Sequence, residues 1–287
     1  MKEALYWDSE VSGSAGVRAH CRLCPHECTI MNGLTGICGV RRNIDGKLYS
    51  LIYGEAASVA LDPIEKKPLY HYHPGEYILS LGTKGCNFKC PFCQNWTISQ
   101  DAGARTEKIT PAWAVAKAKE HKSFGIAYTY NEPFIWYEFV LDTAKLAKKA
   151  GLENVLVTNG YVNPAPLKEM LPLIGAMNVD LKSIDDGYYR KYCKGSLAPV
   201  LSTIKTAARS CHVEITNLVV TGLNDTDEDF RKLSDWICDN SGPDTPLHFS
   251  RYFPCYEMDL PATPKETLER AQAIAGKRLK YVHLGNV

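Results

Sequence analysis

Eleven of the 287 residues are cysteine, and most of them fall in two tight clusters: Cys21, Cys24, Cys28 and Cys38, then Cys86, Cys90 and Cys93. In a reducing compartment, clustered cysteines are more often metal ligands or catalysts than disulfides. The second cluster reads C-x3-C-x2-C within LGTKGCNFKCPFCQNW, with Phe92 directly before the third thiol. Three thiolates on one short loop can hold three irons of a cubane. No fourth ligand is supplied locally, which leaves one iron open for chemistry. A zinc knuckle would need His71 or His73 as a fourth ligand, and three buried thiols are the remaining alternative. The first cluster is C-x2-C-x3-C followed by Cys38, four thiolates able to close around zinc or a second Fe–S cluster. Its full ligand complement suits structural zinc. Cys193, Cys211, Cys238 and Cys255 are scattered and read as packing residues.

These loops need elements to hold them. From Tyr77 onward, short apolar runs occur at 77–82, 126–130, 154–158, 177–181, 213–220, 246–250 and 280–285. Amphipathic segments separate most of them. Pro111 and Pro133 open two helices, Gly151 sits at a C-cap position, and Thr226-Asp227-Glu228 and Thr263-Pro264 begin two more. Repeated strand–helix alternation predicts a parallel sheet with crossover helices. Its regular period favours an α/β fold of the partial (β/α) TIM-like barrel kind over a doubly wound sheet. Residues before 75 carry no helical period, and Asp45-Gly46 signals a β-hairpin. The expected division is a cysteine-rich module over 1–75 and a barrel over 76–287. The three-cysteine loop then follows the first barrel strand, and functional groups belong at the strand ends.

Composition excludes several classes. Hydrophobic residues make up 45%, charged residues 23%, and the formal net charge is +1, so no bulk field favours nucleic acid or an anionic membrane. No uncharged apolar run approaches the ~20 residues that span a bilayer. The amino terminus has no secretory h-region, and the expected location is the cytoplasm.

The three-cysteine loop, with its aromatic before the last thiol, resembles the signature of the radical SAM superfamily, and the resemblance covers 77–287. It implies a 4Fe–4S cluster on Cys86, Cys90 and Cys93 whose open iron is chelated by S-adenosylmethionine. Reductive cleavage of that cofactor would give a 5′-deoxyadenosyl radical for hydrogen abstraction. Three strand ends match cofactor-holding positions of the family. TYNEP (129–133) stands at the Gly-Gly-Glu motif, with Asn131 replacing the second glycine and Glu132 at the acid, so backbone groups near Asn131 and the Glu132 side chain are implied to orient the methionine ammonium; a helix-initiating turn at Pro133 is the alternative. VTNGY (157–161) resembles the DTNG segment of glycyl-radical activating enzymes; Asn159 and Gly160 match, and Val157 replaces the acid. DLK (180–182) matches those enzymes residue for residue, and Asp180 and Lys182 suit a zwitterionic methionine or its ribose. A surface ion pair is the alternative there. Phe253 replaces the histidine of a PYH segment; His248 and Arg251 are candidates to face the pocket instead, although a lone His on a strand is more often structural, and Gly285 and Asn286 are expected to approach the adenine. No catalytic side chain is assigned.

CRLCPHEC, GICGVRRN, DPIEKKPLYHYHPG, TYNEP and HFSRYFP together resemble the radical SAM component of the AmmeMemoRadiSam system, which is similar to pyruvate formate-lyase activating enzyme with an added cysteine-rich amino terminus. That implies association with Memo-like and AMMECR1-like proteins and an electron donor such as flavodoxin or ferredoxin. The expected function is a radical SAM enzyme acting on an unidentified substrate. Its alternatives are a glycyl-radical activase and a non-enzymatic metal-binding interaction protein. Nucleic-acid modification lacks a basic run to support it. The charged loop 62–75 is expected near the barrel entry, as a substrate contact or a solvated linker.

Overall fold

The computed structural model describes residues 1–11 and 17–287. Eight strands form its main sheet: β1 (Ser58–Pro63), β2 (Tyr77–Gly82), β3 (Gly125–Tyr128), β4 (Glu153–Thr158), β5 (Ala176–Asp180), β6 (His212–Val219), β7 (Leu247–Arg251) and β8 (Val282–Gly285). Each strand pairs with its neighbour in the chain, and the order ends at β1 on one side and β8 on the other. From β2 to β8 every pairing is parallel. The edge strands do not pair with each other, so the result is an open, partial barrel, as the strand–helix period predicts. The seven apolar runs all became strands, within one or two residues at their ends. β1 is the addition. It runs antiparallel to β2, with Leu61 opposite Leu79, and so belongs to the main sheet although the division at 75/76 placed it in the amino-terminal module. As an edge strand it leaves Val59 and Leu61 each 39% exposed and ends in Pro63, whose missing N–H an edge tolerates. Those features hide a strand from a search for buried apolar runs.

The crossover helices start where the chain chemistry requires. In α1 (Pro111–Glu120), Thr110 Oγ1 accepts from Trp113 N at 3.1 Å and Pro111 occupies the first turn, where its lack of an N–H costs nothing. Pro133 opens a single 3-10 turn, Pro133–Trp136, before α2 (Tyr137–Lys149). Gly151 follows α2 at φ +76°, the left-handed position that favours glycine. A Thr226–Asp229 capping box begins a fifteen-residue helix, Asp227–Ser241.

The loop between β1 and β2 closes the barrel floor, the end opposite the cysteine loop. Asn178 on β5 donates to the Pro68 carbonyl at 2.7 Å. Glu214 on β6, with its side chain fully buried, accepts from Tyr70 N at 3.1 Å and His71 N at 2.8 Å. It also meets His248 Nε2 at 2.6 Å and His212 Nε2 at 3.0 Å. His248 therefore lies beneath the cavity and does not face it, the structural role of the two that the sequence offered. Arg251 is turned away too, donating to the Thr263 carbonyl at 2.7 Å. Burial by itself pushes the Glu214 carboxyl up, but these donors outweigh it and hold it at about 2, below the ordinary 4.5. A carboxylate depressed on folding stabilises above its unfolded range and loses that contribution as pH falls through its folded value. A shift of this size is worth roughly 3 kcal/mol. Glu214→Gln is therefore expected to flatten the decline in stability between pH 4.5 and about 2, read as urea midpoints across that range; an unchanged acid limb would rule Glu214 out as its source.

The cysteine-rich module packs on the same hydrophobic core. Arg41–Ile44 and Lys47–Ser50 form the expected hairpin, turning through Asp45 at φ +50° and Gly46 at φ +85°. A second antiparallel sheet pairs Trp7–Val11, Val17–Cys21 and Thr29–Ile30. Buried Arg41 pairs with Glu138 of α2, and Trp136 Nε1 donates to the Ile52 carbonyl at 2.7 Å. No helix among the described residues is long and apolar enough to cross a membrane.

Candidate active site

At the carboxyl ends of β2 to β6 lies a cavity of about 330 Å³. Its lining includes Cys86, Cys90 and Cys93, and also Asn131, Glu132, Asn159, Asp180 and Lys182. The parallel strands explain the convergence: each delivers its following loop to the same rim. Asn286, beyond β8, reaches the wall as well and donates to Ser250 Oγ at 2.9 Å.

The cysteine loop turns at Gly85, φ +88°. A Cβ there would lie 2.8 Å from the Cys38 carbonyl oxygen and 2.7 Å from Val40 Cγ1, so this residue lets the loop touch the amino-terminal module. Asn131 fixes the loop from the β3 side. Its Oδ1 accepts from Thr83 N at 3.1 Å and its Nδ2 donates to the Gly85 carbonyl at 2.8 Å. Asn159 fixes it from β4, donating to Asn87 Oδ1 at 2.8 Å with Cys86 Sγ 3.8 Å away. Asn87 is itself fully buried and donates to the Tyr161 carbonyl at 2.8 Å. Sequence reasoning missed Asn87, because a residue between two motif cysteines carries no pattern of its own. It missed Tyr130 also. That residue sits at φ +73°, a conformation costly without glycine, held by its hydroxyl on Asp62 Oδ2 at 2.6 Å and by Lys67 over its ring at 4.6 Å. No periodicity marks a left-handed tyrosine.

Glu132 is 1% exposed and its oxygens are occupied. They accept from Phe134 N at 2.9 Å, Thr158 Oγ1 at 2.8 Å and Asn159 N at 2.8 Å, which ties the ends of β3 and β4 together. Burial raises its carboxyl to about 7 despite those donors. Lys182 Nζ lies 3.3 Å from Asp180. Burial alone would lower that ammonium, but Asp180 and the thiols of Cys90 and Cys193 hold it well above its ordinary value. Lys182 is thus electrically coupled to the thiol loop, while the Asp180 side chain stays 38% exposed.

Burial pushes the Cys86 and Cys93 thiols up, with Glu132 adding at Cys86 and Cys90 at Cys93. At Cys90 contact with the Cys193 thiol is the largest cause, ahead of burial. Crowded thiols that resist ionising alone are donors for a polycationic partner. Cys193 is fully buried behind Cys90 and outside the cavity lining, so three thiols and no fourth open onto it. That donor set fits a cluster with one open iron.

The amino-terminal cysteines gather separately. Cys21, Cys24, Cys28 and Cys38 line a second, small cavity together with Arg41 and Ile135. Burial pushes the Cys24 thiol up, and Cys38, Cys21 and Cys28 add to the effect, which places all four within electrostatic reach of one another.

The open barrel of sequential parallel strands thus carries three thiols just after its first parallel strand. The Radical SAM superfamily model matches residues 80–237, and the chain belongs to that superfamily, which implies a 4Fe–4S cluster and S-adenosylmethionine. It is 44% identical over 292 residues to the uncharacterized protein MJ0808 of Methanocaldococcus jannaschii, covering 100% of this chain and 86% of that one. Pyruvate formate-lyase 1-activating enzyme of Escherichia coli is 25% identical over 211 residues, 67% of this chain and 85% of the enzyme. Among solved structures, Streptococcus suis SuiB bound to S-adenosylmethionine superposes with a TM-score of 0.56 at 12% identity, over 72% of this chain and 51% of that one. A radical SAM methyltransferase from Sphaerobacter thermophilus gives 0.55 at 15%, over 74% and 67%. These two likenesses are of fold.

Proposed function

We propose that this protein is a radical SAM enzyme that holds a 4Fe–4S cluster on Cys86, Cys90 and Cys93 and generates a 5′-deoxyadenosyl radical for hydrogen abstraction from a substrate yet to be identified. The observation that carries the reading is the cavity onto which three thiols, and no fourth, open beside the polar ends of β3, β4 and β5. When bound, the cluster and S-adenosylmethionine supply the electron and the radical. The chain's own residues position and shield them. Asn131, Asn87 and Asn159 hold the thiol loop against β3 and β4, and Glu132 locks those two strand ends. Asp180 and Lys182 offer opposite charges to the methionine end or the ribose.

Within the superfamily we assign the chain to the AmmeMemoRadiSam type, with Memo-like and AMMECR1-like proteins as partners and flavodoxin or ferredoxin as electron donor. Support comes from the motifs spread along the chain and from a relative that matches 100% of it, the cysteine-rich module included. A second reading, activation of a glycyl-radical enzyme, is supported by the relatives named as activating enzymes. Anaerobically reconstituted protein with dithionite is expected to convert S-adenosylmethionine to methionine and 5′-deoxyadenosine; no cleavage overturns the proposal. Deuterium passing from a labelled cell extract into 5′-deoxyadenosine would mark the substrate. A glycyl-radical resonance on a co-incubated glycyl-radical enzyme would favour the second reading.

Asp180→Ala and Lys182→Ala are each expected to weaken S-adenosylmethionine binding while cluster absorbance persists. One charged hydrogen bond is worth roughly 1.5–3 kcal/mol, about tenfold to more than a hundredfold in affinity. Anaerobic calorimetry reads the change, and equal affinity in both variants returns the pair to a structural role.

A further inference from the structure

We propose that the Tyr188 hydroxyl donates a hydrogen bond to sulfur at the Cys90 corner of the cluster held by the Cys86 loop, and so raises the potential at which that cluster accepts its electron. The inference rests on the reading of that loop given above.

The hydroxyl is an orphan. Tyr188 is 3% exposed, and among the described residues its buried oxygen has no hydrogen-bond partner. A buried polar group left unpaired is costly, and such an orphan points to a partner outside the chain. Its surroundings say what kind of acceptor that is. The rings of Phe92, Tyr189 and Tyr192 pack against the Tyr188 ring, with centroids 6.0, 6.4 and 5.1 Å away. Cys193, Cys90 and Lys182 lie within electrostatic reach of the hydroxyl. A lysine ammonium only donates, and the Tyr189 hydroxyl is already engaged by Lys182 N at 3.0 Å. Sulfur is the acceptor that remains. Burial pushes the Tyr188 phenol well above its ordinary range, and Cys193 and Cys90 add to the effect, so it keeps the proton it would donate.

The second observation is how firmly the residue is held. Tyr188 ends the short turn Asp186–Tyr188 after β5, and Tyr189–Cys193 continue it as a π-helix, a winding frequent at functional sites. Tyr188, Tyr189 and Cys193 turn inward while Arg190 and Lys191 stay exposed. Three contacts fasten this segment to the cysteine loop. Lys89 N donates to the Cys193 carbonyl at 3.0 Å, Phe92 meets the Tyr188 ring from between Cys90 and Cys93, and a Cβ on Gly195 would lie 2.4 Å from Phe88 Cε1. The hydroxyl is thus fixed beside the loop by the chain alone.

Charge sets the direction of the effect. An added electron makes the cluster more negative, and a hydrogen bond to its sulfur holds that reduced form more tightly than the oxidised one; such bonds are among the factors that set cluster potentials. One electron enters, no bond breaks, and Tyr188 keeps its hydrogen.

The test uses the full chain, reconstituted anaerobically with iron and sulfide, as parent and as Tyr188→Phe. The cluster followed is the one whose paramagnetic signal S-adenosylmethionine perturbs. At equal iron content, and poised at the parent's midpoint, the ratio of reduced to oxidised cluster is expected to fall about tenfold in the variant, which for one electron is a midpoint lower by about 59 mV. Equal midpoints in two loaded proteins overturn this proposal and leave the earlier reading standing. A parent that holds no cluster on the Cys86 loop overturns both. Should Tyr188→Phe fail to load, the parent decides: reduced protein exchanged into D2O should show a strongly coupled deuteron at the cluster, and its absence refutes the bond.

Discussion

Replacing Cys86, Cys90 and Cys93 together with Ala is expected to abolish the cluster absorbance of the Cys86 loop and all reductive cleavage of S-adenosylmethionine. Among the described residues, the loop is the only source of thiols on the cavity wall. Cys193 lies behind Cys90 with its backbone carbonyl tied to Lys89 N at 3.0 Å, Cys255 Sγ donates to the Cys93 carbonyl at 3.5 Å, and these two thiols outside the cavity lining cannot replace three. The loss is not expected to come from unfolding. Each change removes one small atom, and the asparagine clamps at Asn87, Asn131 and Asn159 do not depend on the thiols for their 2.8 Å bonds. Circular dichroism should therefore match the parent while methionine and 5′-deoxyadenosine fall to background. Cleavage that persists in a folded triple variant would sink the assignment of this loop.

The second large effect is on stability. Arg41→Ala or Glu138→Ala is expected to cost about 3–5 kcal/mol, because either leaves one charge buried without its partner. The two side chains are 1% and 0% exposed. Arg41 Nη1 also donates to the Leu5 carbonyl at 2.9 Å, and Glu138 Oε1 accepts from Leu5 N at 2.8 Å. One pair thus anchors the hairpin, the amino-terminal segment at Leu5 and α2. The pair is not fully satisfied: among the described residues, Arg41 Nε and Glu138 Oε2 have no partners. Removing both charges in Arg41→Met/Glu138→Leu should consequently cost less than either single change. Urea unfolding under anaerobic conditions measures all three. Single variants within about 1 kcal/mol of the parent would mean that water relieves the stranded charge.

Much of this molecule was legible in the chain. Short apolar runs of strand length alternating with helices capped at Thr110 and Thr226 dictate a parallel sheet, because only crossover helices can bury one face of each strand. The three-thiol spacing after the first of those strands states the chemistry of the site, since thiolates four and three residues apart on one loop can reach one cluster. Asp45-Gly46 forced the hairpin through positive φ at both positions.

The tertiary structure decided the rest. Loop 62–75 was expected at the entry, yet His71 and Tyr70 donate to Glu214 on the barrel floor, and only its Lys66 and Pro68 reach the cavity. Which end a loop covers depends on strands more than a hundred residues away, a relation that no local pattern encodes. The Glu132 side chain, expected at the cofactor, accepts from Phe134 N, Thr158 Oγ1 and Asn159 N, and the Asn131 side chain holds the thiol loop, because buried polar atoms must find partners; both residues still line the cavity. Residue types and spacing determine which groups can do chemistry and on which element they ride. Only the closed set of hydrogen bonds among distant strands determines which of those groups face the cavity and which hold the others in place.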